Sequence, residues 1–180
     1  LTGIHLAAAE SLISSGSASA SGSLGAGTLT IQVGTQTAVN VAITSGSSSL
    51  ADIAQAIDQA DAGVEASVVF DGSQYHLVLT GNGTGSANAF TVSGSGALAG
   101  LSYSPTTSGS GLNLTTKAAN ASFSLDGLNI TSGSNTITGV VPGLSLTLAQ
   151  SGSATVKVSL VTSEGTILLV EAPEGSAHVA

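Results

Sequence analysis

The feature that most constrains this chain is a change of hydrophobic period. From Thr28 onward, apolar and polar residues alternate in short runs, the pattern of strands that bury one face. Between Leu50 and Ala60 the period lengthens. Leu50, Ile53, Ala54, Ile57 and Ala60 fall at i, i+3, i+4, i+7 and i+10, while Asp52, Gln55, Asp58 and Gln59 take the other side. The spacing predicts one clear helix over 49–61. Ser49 stands as its N-cap, Asp52 lies three residues on in a near capping-box pattern, and Gly63 supplies the stop.

Strands are expected on both sides of that helix. Residues 28–33 and 38–43 form a hairpin across Gly34-Thr35-Gln36-Thr37. Residues 64–70 and 75–80 form another across Asp71-Gly72-Ser73-Gln74, and 89–93 follow a loose turn at glycines 81, 83 and 85. Residues 94–116 are rich in Gly, Ser and Thr and read as loops with one or two short strands. A second set of strands occupies 121–125, 128–131, 135–138, 144–149 and 154–161, with turns at Asp126-Gly127, Ser132-Gly133-Ser134, Pro142-Gly143 and Ser151-Gly152-Ser153. Regular spacing with glycine-bearing turns points to a β-sandwich-like or meander arrangement. Residues 166–171 allow one more strand. At the start, 1–15 read as a short helix or a frayed end, and 14–27 as a flexible Ser/Gly/Ala connector.

The fold class is therefore mainly β with one clear α-helix, an α+β lobe beside a β-sandwich-like lobe. The simplest division places an N-terminal segment and connector at 1–23, a first lobe at 24–112, a second at 113–162 and a tail at 163–180. A discontinuous division, with the first strands pairing with the last, is the alternative.

Composition removes several functions. Charged residues make up 7% of the 180, against about 25% in ordinary soluble chains. The only basic side chains are Lys117 and Lys157, and ten carboxylates bring the net charge to −8. Two lysines cannot supply the basic footprint that nucleic acid or an anionic membrane surface demands. Without cysteine there is no disulfide framework, thiolate metal site or cysteine nucleophile. No apolar run reaches the length of a membrane span. The N-terminus has no basic region followed by an apolar stretch, and the lack of Met at position 1 suggests a piece of a longer chain or a processed product.

Two blocks of sequence carry a family resemblance. The first comprises Gly27-Thr28-Leu29-Thr30-Ile31-Gln32-Val33-Gly34, then Ser49-Leu50 with Ile53-Ala54 and Ile57, then Gly63-Val64-Glu65-Ala66-Ser67-Val68. It continues through Tyr75-His76-Leu77-Val78-Leu79-Thr80 to Thr84-Gly85-Ser86-Ala87-Asn88, and resembles the flagellin hook IN motif. The second runs from Ala118-Ala119-Asn120-Ala121 through Phe123, Leu125-Asp126-Gly127 and Ile130-Thr131-Ser132 to Ser134-Asn135-Thr136-Ile137. It closes with Val141-Pro142-Gly143-Leu144-Ser145-Leu146-Thr147-Leu148 and Ala154-Thr155-Val156-Lys157-Val158. Together, in this order, the blocks resemble the bacterial flagellar filament-capping (hook-associated protein 2) family. The resemblance implies a non-enzymatic structural module at the extracellular tip of the flagellum, contributed by the outer lobes of a ring of cap subunits. The implied partners are other cap subunits and flagellin, with host glycans or mucin in an adhesive role. The long polar helices expected after residue 160 are absent from this sequence. The alternative function is an adhesive or carbohydrate-binding module of another surface protein.

Side-chain chemistry adds no catalytic, cofactor-binding or metal residues to that expectation. His76 lies on a strand with Val78 and Thr80, on the face opposite Tyr75, Leu77 and Leu79, and reads as an exposed or rim histidine. His5 and His178 have no histidine at zinc-ligand spacing. Asp52 and Asp58 fall on the polar helix face and Asp61 at its very end, which is most simply a solvated surface. Gly81-Asn82-Gly83-Thr84-Gly85 and Gly94-Ser95-Gly96 match no phosphate-binding loop and read as turns. Neither an EF-hand loop nor a nucleophile elbow is present. Asn82, Asn113, Asn120 and Asn129 open N-x-[ST] patterns expected by chance in so Ser/Thr-rich a chain. Phe70 and Phe123 are expected in the core, and Tyr103 is the one aromatic suited to ligand contact.

Overall fold

The computed structural model describes residues 1–106, 111–140, 144–155, 157–160, 167–170 and 178–179. In chain order its elements are β1 (Thr2–His5), β2 (Ala9–Ser14), β3 (Gly27–Val33), β4 (Val39–Ile43), α1 (Leu50–Gln59), β5 (Val64–Phe70), β6 (Tyr75–Thr84) and β7 (Phe90–Gly94). They continue with β8 (Leu112–Thr116), β9 (Ala121–Leu125), β10 (Leu128–Ser132), β11 (Thr136–Thr138), β12 (Ser145–Thr147), β13 (Lys157–Leu160), β14 (Ile167–Val170) and β15 (His178–Val179). Short 3₁₀ helices cover Ser86–Asn88 and Gly96–Leu101. Over the described residues the chain is mainly β with one α-helix, the class its two periods predict.

The elements sort into two compact units. One, the inserted unit, is continuous over Ala9–Ala118. The other, the split unit, joins Leu1–Ala8 to Ala119–Ala180. The boundaries thus fall at 8/9 and 118/119 rather than at 23/24 and 112/113, because the first residues are strands of both units. β1 pairs with β9 at Thr2↔Ser124 and His5↔Ser122, whereas β2 pairs with β6 and β8. The expected helix or frayed end over 1–15 is absent. The strand's alternation is hidden in the sequence because Glu10 and Ser14 sit with Leu12 on the buried face of β2. The expected flexible connector is tied down as well. Ser17 exchanges two 2.8 Å backbone bonds with Tyr75, and the Leu24 N–H donates to the Ser48 carbonyl.

In the inserted unit, a four-stranded antiparallel sheet runs β5-β6-β2-β8 and a three-stranded one runs β4-β3-β7. Helix α1 presents Leu50, Ile53, Ala54 and Ile57 to the core, and both halves of the capping box form. Ser49 Oγ accepts from the Asp52 N–H at 3.2 Å, while Asp52 Oδ2 accepts from the Ser49 N–H at 3.0 Å. Leu12, Leu29, Ile31, Leu77, Leu79 and Phe90 are closed off from solvent around it. The expected turn at glycines 81–85 is instead mostly strand, since β6 runs on to Thr84 and Gly81 pairs with Val64. Gly81 sits beside the Phe90 ring, where an added Cβ would make an ordinary van der Waals contact at 3.6 Å. Of residues 94–116, the segment between β7 and β8 opens with a 3₁₀ helix that buries Leu98 and Leu101.

The split unit is built from antiparallel pairs. β9 and β10 form a tight hairpin whose Leu125 and Leu128 pair across Asp126-Gly127, with φ of 50° and 84° at the two turn residues. The described strands also pair as β11-β12-β15 and β13-β14. The core gathers Ile4, Ala7, Ala121, Phe123, Ile137, Leu146, Leu148 and Ala154. Asn135 takes the place of a strand partner for Ala7: its Oδ1 accepts from the Ala7 N–H at 2.7 Å and its Nδ2 donates to the Ala7 carbonyl at 3.0 Å. Within the expected tail, Ile167–Val170 pairs with β13 and His178–Val179 with β12, so the chain returns to the sheets. The expected Pro142-Gly143 turn lies outside the described residues.

Candidate functional surface

His76 is held through both of its ring nitrogens. It projects from β6 beside the β5–β6 turn, 16% exposed. Its Nδ1 lies 2.9 Å from the Ser14 carbonyl oxygen and its Nε2 lies 3.0 Å from Asp71 Oδ2. Asp71 Oδ1 in turn accepts from the Ser73 and Gln74 N–H groups, each at 2.7 Å. Those two backbone donors, with His76 after them, hold the Asp71 carboxyl well below the usual carboxylate range. The Ser14 carbonyl, then Asp71, raises the His76 pKa above its ordinary value.

This histidine–carboxylate pair is built as a structural strut. Both ring nitrogens face acceptors, so neither offers a free lone pair to a reacting proton. The neighbouring Ser14 hydroxyl is 4% exposed, donates to the Ser15 carbonyl and accepts from the Leu77 N–H, which leaves it no base. Among the described residues, no group of three or more His, Asp or Glu is arranged to hold a metal ion.

The helix carboxylates are also bonded locally. Asp52 completes the capping box, and Ser49 keeps its pKa low. Asp58, expected as a solvated side chain, accepts the Ala66 N–H at 2.7 Å and ties α1 to the edge strand β5. Asp61 is exposed and, with Asp58, Val64, Glu65 and Asn82, lines an open surface depression. A second open groove runs between β4 and α1 past Thr44, Asp52, Gln55 and Gln59.

The aromatic expectations divide. Phe123 is buried, as expected. Tyr103 is only 7% exposed, which overturns its assignment to ligand contact. It exchanges backbone bonds with Val92 at 2.7 and 3.0 Å, extending the sheet beyond β7 and turning the ring into the core. Phe70, expected in the core, is 52% exposed, because β5 ends there beyond the layer that covers Val64 and Ala66. Its ring tilts against Tyr75 with centroids 4.7 Å apart. With Val69, 47% exposed, it makes an apolar tip on the β5–β6 hairpin. Sequence reasoning also missed Glu10, which is 2% exposed and accepts the Phe90 N–H at 2.9 Å. No spacing signal marks it, since its partner lies 80 residues away.

Comparison with known proteins agrees with this architecture. The model of the flagellin hook IN motif matches residues 28–83, and that of the flagellar hook-associated protein 2 C-terminus matches 118–167. Flagellar hook-associated protein 2 of Salmonella typhimurium is 34% identical over 122 residues, covering 66% of this chain and 26% of that protein. The chain thus spans about a quarter of the length of the curated relatives it matches. Among solved structures, the D2-D3 domains of the Escherichia coli flagellar cap protein FliD superpose with a TM-score of 0.70 at 32% identity. That match covers 78% of this chain and 79% of the other. The D1-D2-D3 domains of the same protein give a TM-score of 0.78 at 30% identity, over 85% of this chain and 49% of the other.

Proposed function

The chain belongs to the flagellar hook-associated protein 2 family, and from that membership we propose that it forms outer lobes of a filament cap at the distal tip of the flagellum. The observation that carries this reading is the coincidence of motif order with architecture. The IN motif lies wholly inside the inserted unit, and the C-terminal match begins at residue 118, next to where the split unit resumes at Ala119.

The work is steric rather than chemical. Two antiparallel β cores, each closed by bonds between distant parts of the chain, give stiff bodies that hold their shape beside a growing filament. Their surfaces carry hydroxyls and amides in place of charge, which suits subunits that meet one another and flagellin without adhering elsewhere. Partners are other cap subunits and flagellin, and the site of action is outside the cell.

Immunogold labelling of source cells with antibody against this chain tests the reading. Gold confined to flagellar tips is expected. Gold along the filaments points to a flagellin-type insert, and gold elsewhere on the envelope points to an adhesin. The exposed Phe70 ring, set against half-buried Tyr75, favours an additional adhesive role, because a sugar face can stack on such a ring. Loss of mucin binding in Phe70→Ala, with the hairpin intact by NMR, is the result that role requires.

A further inference from the structure

Near the tip of the inserted unit the β2–β6 ladder is interrupted. Ile13 pairs with Val78 and Ser17 bridges to Tyr75, so four steps along β2 and its following loop span three along β6. Side chains fill the gap left in the ladder. Ser14 Oγ accepts the Leu77 N–H at 2.9 Å, and His76 Nδ1 reaches the Ser14 carbonyl at 2.9 Å. The other ring nitrogen crosses to Asp71 in the β5–β6 turn. A single imidazole thus joins the bulge to the turn.

We propose that this histidine is a proton-operated latch: protonated His76 locks the bulge at Ser14–Ser17 to the 71–74 turn, and its deprotonation releases the hairpin tip that carries Val69 and Phe70. The chemistry is fixed by the acceptors. A carbonyl and a carboxylate can only accept, so both bonds require an N–H on each ring nitrogen, which only the imidazolium has. In the neutral ring one nitrogen turns a lone pair toward an oxygen, and one arm of the latch is lost. Among the described residues, Asp71 is the one charged group acting on the ring. From β5, Val69 lies opposite; from β2 and its loop come the Ser14 carbonyl and uncharged Ser15, Gly16 and Ser17; along β6 the neighbours are Tyr75 and Leu77.

The sign follows from the raised pKa. The latch contributes fully below the ordinary histidine value near 6.5 and is lost as pH rises through the higher folded value.

The test combines a ¹⁵N titration of the imidazole with amide exchange on the full chain. The Tyr75 and Ser17 amides, bonded to each other's carbonyls at 2.8 Å, report on the bulge. The His76 ring is expected to titrate above 6.5. Protection of these two amides, corrected for the intrinsic rate at each pH, should fall roughly tenfold across that titration, the scale of one charge-assisted bond. In His76→Gln the step should vanish. In Asp71→Asn, whose amide oxygen can still accept from the turn, the ring titration should move down. A ring that titrates at or below 6.5, unchanged protection across the titration, or the same step in His76→Gln overturns the latch.

Discussion

The two units reach stability by different routes. The inserted unit surrounds a broad apolar core and reaches into it with polar side chains that each satisfy a backbone group, Glu10 for Phe90 and Ser14 for Leu77, while on its surface Asp58 accepts from Ala66. Among the described residues of the split unit, Ile4, Phe123, Ile137, Leu146 and Leu148 pack with three alanines, and the unit adds backbone pairing, a two-residue turn and Asn135 imitating a strand. A core built of large side chains can absorb irregular strands, because bulges and buried carboxylates are offset by the apolar area around them.

Both tyrosines, Tyr75 and Tyr103, belong to the inserted unit, and tyrosine fluorescence therefore follows its unfolding alone. The largest expected effect is Phe90→Ala, which removes a fully buried ring and should cost the inserted unit about 3–5 kcal/mol in urea titrations. Amide protection in the β9–β10 hairpin should survive that substitution. If both fall together, the cores are one cooperative body and the contrast drawn between them is mistaken. Next comes Glu10→Ala, expected to cost about 1–3 kcal/mol because the buried Phe90 N–H is left without its acceptor. Glu10→Gln keeps an acceptor oxygen and should cost less; equal losses would mean that packing, not the bond, holds Glu10.

In the split unit, Asn135→Ala deletes two bonds to Ala7 and should cost about 2 kcal/mol, at about 1 per bond, with the Ala7 amide becoming fast-exchanging. An Ala7 amide that stays protected would show that β1 alone closes the unit. The smallest effect is Ser49→Ala, about 1 kcal/mol from the helix N-cap, read as earlier exchange in the first turn of α1.

What was readable in advance was what depends on neighbours in sequence. The helix, its capping box and the Asp126-Gly127 hairpin each arise within a few residues, so residue type and spacing suffice. β2 was unreadable because Glu10 and Ser14 occupy the positions where alternation demands apolar side chains. Tyr103 and Phe70 exchanged their expected places for a related reason. Burial depends on which layer covers a strand end, and covering layers come from remote parts of the chain. The His76 strut needed the fold too, since Ser14 lies 62 residues from it.

The sequence by itself determined the local periods, the turns, the weakly charged surface and the two family blocks, because each is written in adjacent residues. Only the tertiary structure decided that the first eight residues belong with the last third of the chain and that residue 9 begins the other unit. Only it decided, too, that one histidine bridges a bulge to a turn. Those outcomes rest on pairings between distant strands, where the cost of closing a loop grows only slowly with its length, so chain order does not dictate which strand finds which.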